Sequence, residues 1–166
     1  MASDTELRNL VDEFLYLVEV GSGSQLADES ELEHLLDRLA LAMRTLVVPG
    51  EPEEFPAVPA RNFDVLQKVA RSRFPQFGTY ACPGPLAAGS AVSAPAPARA
   101  ADAIADVAAI ADELHAVAWL WRSAGFDAGA WALEQSFRAR WGRRMRALQL
   151  YLHDRRSAEE QPEEQQ

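Results

Sequence analysis

With 166 residues, 48% hydrophobic content and a formal net charge of −9, the chain fits one globular domain that can bury a core without disulfide or metal staples. Its single cysteine, Cys82, excludes an intramolecular disulfide and, beside only three scattered histidines, cannot supply a zinc-finger spacing, so a reducing compartment, the cytoplasm, is expected. The opening MASDTELRNL carries acids where a secretion signal carries bases, and no apolar run approaches the roughly 18 residues of a membrane span, so neither secretion nor a membrane anchor is expected.

Ser3 followed by Glu6 is a capping-box pattern, and Leu7, Leu10, Val11, Phe14, Leu17 and Val18 recur at helical spacing behind it, which predicts a first helix over 4–20. Gly21-Ser22-Gly23-Ser24 breaks that helix. A second capping box, Ser30 with Glu33, predicts the start of a second helix on Leu32, Leu35, Leu36, Leu39, Met43 and Leu46, which Pro49-Gly50 ends. Residues 49–60 hold four prolines and three glutamates and read as a connector. A short third helix is expected over 62–72, followed by an aromatic hook of Phe74, Phe77 and Tyr80. Residues 81–99, rich in Pro, Gly, Ala and Ser, predict a mobile surface linker.

Asp102 is the expected N-cap of a fourth helix whose stripe is Ile104, Val107, Ala108, Ala111, Leu114, His115, Ala118 and Trp121, closed by Gly125. Asp127 is the expected N-cap of a fifth, with Phe137, Trp141, Met145, Leu148 and Leu152 as its stripe. The acidic stretch 157–166 offers nothing to bury and is expected to be disordered. No segment alternates with period two, so the predicted class is all-α: a single domain over 1–156, built as a bundle of about five helices, mainly antiparallel hairpins, with negligible sheet.

Charge is unevenly placed. Residues 1–60 hold thirteen acids and three bases, whereas residues 138–166 hold five acids and seven bases, which favours complementarity between the first and last helices. The overall acidic field argues against nucleic acid and anionic membranes as partners.

Glu134 falls near the centre of the stripe formed by Phe137, Trp141, Met145 and Leu148 when residues are placed about 100 degrees apart, where a carboxylate needs a partner. His115 interrupts the apolar stripe before Trp119 and Trp121, and an antiparallel hairpin would bring it within reach of Glu134. Together with Arg138 these form a candidate polar site, either a structural hydrogen bond or ion pair, or a seam able to do acid–base work or hold a metal. The spacings Glu31/His34 and Asp112/His115 invite comparison with di-iron bundles, but His34 lies roughly 150 degrees from its leucine stripe and Asp112 about 110 degrees from its own, so no metal site is expected. Arg140, Arg143 and Arg144 form a candidate basic patch, for which the acidic N-terminal helices are the expected partner. Four tryptophans within 119–141 read as core, Cys82 has no neighbouring base in the sequence, and neither a phosphate-binding glycine loop nor a serine elbow is present, so no catalytic residue and no cofactor is expected.

The run Phe137-Arg138-Ala139-Arg140-Trp141-Gly142-Arg143-Arg144, leading to Ala147-Leu148 and Leu152-His153, resembles the C-terminal signature of an uncharacterised bacterial all-helical family, and the segment from Ala101-Asp102 to Asp112-Glu113-Leu114 resembles that family's preceding helix. The family pattern has a histidine near position 144, where this chain has Arg144. The resemblance covers the last third of the chain firmly and the rest loosely, implies a helical fold and carries over no catalytic residue. Fifteen arginines against the lone Lys68, with abundant alanine, fit a GC-rich bacterial coding sequence. The expected function is therefore non-enzymatic, through association with a protein partner or a second copy by amphipathic helices. The alternative is a small-molecule or metal-dependent enzyme with a pocket between the last two helices around His115 and Glu134.

Overall fold

The computed structural model describes residues 3–48, 50–84 and 98–160. Among these the chain forms α1 (Asp4–Glu19), α2 (Gln25–Thr45), α3 (Phe63–Arg73), strands β1 (Thr79–Cys82) and β2 (Arg99–Asp102), α4 (Ala103–Ser123), α5 (Phe126–Ser136) and α6 (Gly142–Glu160). A π-helical turn over Phe137–Trp141 joins α5 to α6 without a break, so the two act as one rod. Helix takes up 72% of the structure and the sheet only two four-residue strands, which makes this an all-α bundle of five rods.

The Ser3 capping box forms as expected: the Glu6 N–H donates to Ser3 Oγ at 3.2 Å and the Ser3 N–H to Glu6 Oε2 at 2.6 Å. The second box does not form. The N-cap of α2 is Ser24, and Ser30 lies inside the helix. Two bonds from the turn before α2 explain the earlier start, because the Ser22 N–H and hydroxyl both donate to Asp28 Oδ1, at 2.7 and 2.6 Å. They hold that turn against a carboxylate in the first turn of the helix, and Gln25, Leu26, Ala27 and Glu29 all suit helical backbone. Asp127 likewise is not a cap: α5 begins after Gly125, at φ +92, and Asp127 sits in its first turn, where a carboxylate favours the helix dipole.

The fourth helix was expected to bury one stripe. It buries Ile110, Val117 and Leu120 as well, because it is the central helix and packs against α1, α3, α5 and α6. One contiguous core joins Ile110 and Val117 to Phe14, Leu36, Phe74, Trp141 and Leu148. Charge complementarity between the ends of the chain is present too: Arg155 and Arg156 of α6 pair with Glu29 and Glu33 of α2.

The strands pair antiparallel, Thr79 with Asp102 and Cys82 with Arg99, and the Ala103 N–H donates to the Gly78 carbonyl at 3.1 Å. Ala81, Cys82 and Arg99, at the two ends of the expected linker, thus belong to this ladder, while residues 85–97 lie outside the described residues. Ser157 to Glu160, expected in the tail, continue α6, since Arg155 pairs with Glu159 one turn on and Ala158 and Glu159 favour helix. Residues 161–166 lie outside the described residues. No helix among the described residues is long and apolar enough to cross a membrane.

Candidate functional site: an arginine-lined hollow

The structure gives His115 and Glu134 separate partners. His115 Nε2 lies 2.7 Å from Glu19 Oε1 on α1, and Glu134 Oε1 lies 2.5 Å from Arg138 Nη2 one turn further along its own helix. Among the described residues, neither lines the hollow beside α4 or the one between α1 and α2. Glu134 is half-buried, not central to the seam, because the π turn between it and Trp141 adds a residue to the helix and slips the phase on which its position was projected.

That turn has local causes. The Gly142 N–H donates to the Phe137 carbonyl five residues back, and a Cβ at position 142 would stand 2.5 Å from that oxygen, so only glycine closes this turn. Inside it, the Trp141 indole N–H donates to Ser136 Oγ at 2.9 Å, and the Ser136 hydroxyl donates to the Leu133 carbonyl at 3.2 Å. Two polar groups in the core thereby satisfy each other. Within the turn and just past it, Arg140, Arg143 and Arg144 come to line one hollow beside α4.

The hollow has a volume of about 530 Å³ and lies between the β ladder, α4, the π turn and the start of α6. Four guanidinium groups line it, those of Arg99, Arg140, Arg143 and Arg144, against three carboxylates, those of Asp106, Asp112 and Glu113. Asp106 is the deepest of these, with its side chain 5% exposed. Its Oδ2 accepts the Tyr80 hydroxyl at 2.5 Å and its Oδ1 accepts Arg144 Nη1 at 2.7 Å. Burial, reinforced by the hydrogen bond to Asp106 and by its charge, pushes the Tyr80 phenol well above its ordinary ionisation range.

Arg140 grips Glu113 with two donors, one of them at 2.8 Å. Asp112 is held by Arg61 Nε at 2.9 Å. The remaining two arginines are different. Arg143 donates to the Pro83 carbonyl, and the Arg99 guanidinium has no hydrogen bond or ion pair among the described residues, so neither charge is neutralised by a carboxylate. Phe63 and several alanines supply an apolar wall, behind which Trp141 is buried in the core.

The basic patch read from the sequence is thus brought together with Arg99, Tyr80 and Asp106, which sequence reasoning did not single out. Arg138 stays with Glu134 outside the hollow. Among the described residues no three His, Cys, Asp or Glu side chains converge where a metal ion could sit.

Comparison with known proteins adds no relative. No family model, no curated protein and no solved structure matches the chain.

Proposed function

We propose that this is a non-enzymatic, cytoplasmic, single-domain binding protein whose arginine-lined hollow takes a small anion carrying an apolar body, of which an aryl phosphate is the simplest example. The observation that carries this reading is the pair Arg99 and Arg143, two guanidinium groups on the wall of one hollow without a carboxylate partner, in a chain of net charge −9. Arg143 gives one donor to Pro83 and keeps the rest of its five, while Arg99 keeps all of its own. A charged oxygen set entering between them gains charge-assisted hydrogen bonds, and the wall of Phe63 and Ala109 offers contact to an apolar body. The volume of about 530 Å³ falls in the range of small-molecule sites.

Binding fits the hollow better than catalysis does. Tyr80 and Asp106 are tied to each other and to Arg144, leaving neither free to move a proton on a ligand. No histidine lines the hollow, and the Cys82 thiol has only a 3.6 Å contact to the Pro83 carbonyl.

Calorimetric titration with phenyl phosphate, inorganic phosphate and phenol tests the reading. Phenyl phosphate should bind about tenfold tighter than either fragment, and R99Q/R143Q should weaken it by about tenfold or more, the worth of one charge-assisted hydrogen bond. Arg138→Gln, outside the hollow, should leave affinity unchanged. Equal affinity for the three probes, or undiminished binding in R99Q/R143Q, refutes the proposal.

A further inference from the structure

The hairpin of α1 and α2 turns its inner face to the core and leaves a groove along its outer face. Two hollows lie in that groove. The larger, about 910 Å³, has Leu17 and Leu35 at its base and Asp12, Glu13, Tyr16 and Glu31 around it, and the smaller, about 410 Å³, lies against Leu7, Leu10 and Leu41. The Arg38–Glu13 ion pair stands between them. Tyr16 is 61% exposed and Leu41 65%, so each hollow carries one large apolar side chain open to solvent. No residue of this groove belongs to the arginine-lined hollow.

The charge around the groove selects among occupants. Arg38 is the one base lining either hollow and is already held by Glu13, whereas Asp12 and Glu31 have no ion pair among the described residues. Leucines at the base with unpaired carboxylates at the rim form the complement of an amphipathic helix with an apolar stripe flanked by Lys or Arg. A second copy of this chain would bring the same acids against these, and like charges across a two-fold contact oppose it.

We infer that the α1–α2 groove docks a cationic amphipathic helix of a partner protein. Along α1 from Glu6 to Glu19 the groove runs about 20 Å at roughly 1.5 Å per residue, room for a helix of nearly four turns. The two exposed apolar side chains, Tyr16 and Leu41, would pack against its stripe, and Asp12 and Glu31 would meet its cations.

A synthetic peptide of about 15 residues, with leucines at helical spacing and lysines flanking them, serves as the probe against the full chain in fluorescence anisotropy. A second peptide carries glutamate in place of each lysine. The lysine peptide should bind, weaken with salt, and lose about tenfold in affinity to D12K/E31K. A variant of the same net charge, E51K/E53K on the exposed connector, should retain the affinity. Equal losses in both double variants would reduce the effect to overall charge, equal binding of the glutamate peptide would remove the acids' role, and a concentration-dependent dimer abolished by Leu41→Asp would assign the groove to a second copy. Each of these outcomes overturns the inference.

Discussion

Asp106→Asn keeps the shape of the side chain and removes its charge from a place where both oxygens are in use. The carboxylate is 5% exposed and accepts Tyr80 at 2.5 Å and Arg144 at 2.7 Å. An amide can accept one of these donors but turns its own N–H groups toward the other. Loss of a charge-assisted bond from the half-buried Tyr80 is worth about 1.5–3 kcal/mol. Arg144 is 51% exposed and rehydrates, so its share is held below about 1 kcal/mol. Relief of the buried charge offsets part of this, leaving a net cost of about 2 kcal/mol. In a chain of 166 residues that lowers Tm by about 4–8 °C, and urea unfolding should show the same loss by linear extrapolation. Tyr80→Phe should be less costly, and the double variant D106N/Y80F should lose about 1 kcal/mol less than the two single losses combined. A D106N protein as stable as the parent, or losses that add within about 0.5 kcal/mol, would show that the buried network does not hold this region together.

Gly142→Ala should destabilise the fold by about 1–3 kcal/mol despite alanine's higher helix propensity, because its Cβ would stand 2.5 Å from the Phe137 carbonyl; a melt unchanged or raised would mean that the helix passes this point without its π turn. The folded Tyr80 phenol holds its proton above the ordinary value of 10.0, so its contribution to stability is complete below pH 10 and is lost as pH rises beyond it. Tyr80→Phe should therefore lose less stability between pH 9 and pH 11 than the parent, measured by urea midpoints about two units apart, and an equal loss in both proteins contradicts the assignment. Glu134→Gln should change stability by less than about 0.5 kcal/mol, since its partner Arg138 is 71% exposed, and a loss above about 1.5 kcal/mol in thermal melts would show a role that this ion pair does not explain.

The helices were legible because their signals are local. The Ser3 box and the Asp102 cap of α4 each act within three residues, and the leucine stripes of α1 and α2 repeat often enough to outweigh single exceptions. The ladder left no comparable trace, because Thr79–Cys82 and Arg99–Asp102 are too short to alternate and each needs a partner distant in sequence. The π turn was not legible either, and its consequences spread: one added residue moved Glu134 off the projected stripe and placed Arg140, Arg143 and Arg144 along a hollow that a regular helix would not have predicted. One signal was available and passed over. In the run Ala103 to Ala111 every residue but Asp106 is apolar, and an acid so placed in the central helix has to find donors in the core. Tyr80 and Arg144 answer that need through tertiary packing that no spacing rule encodes.

The most direct measurement of the central claim is a residue-resolved amide and side-chain NMR titration of the protein with phenyl phosphate. The account predicts that the signals of Arg99, Arg143, the Phe63 ring and the backbone of Ala139 to Arg144 move together and saturate, while those of Tyr16, Glu31 and Leu41 stay in place. Shifts scattered over the surface, or concentrated away from the four arginines, would contradict it.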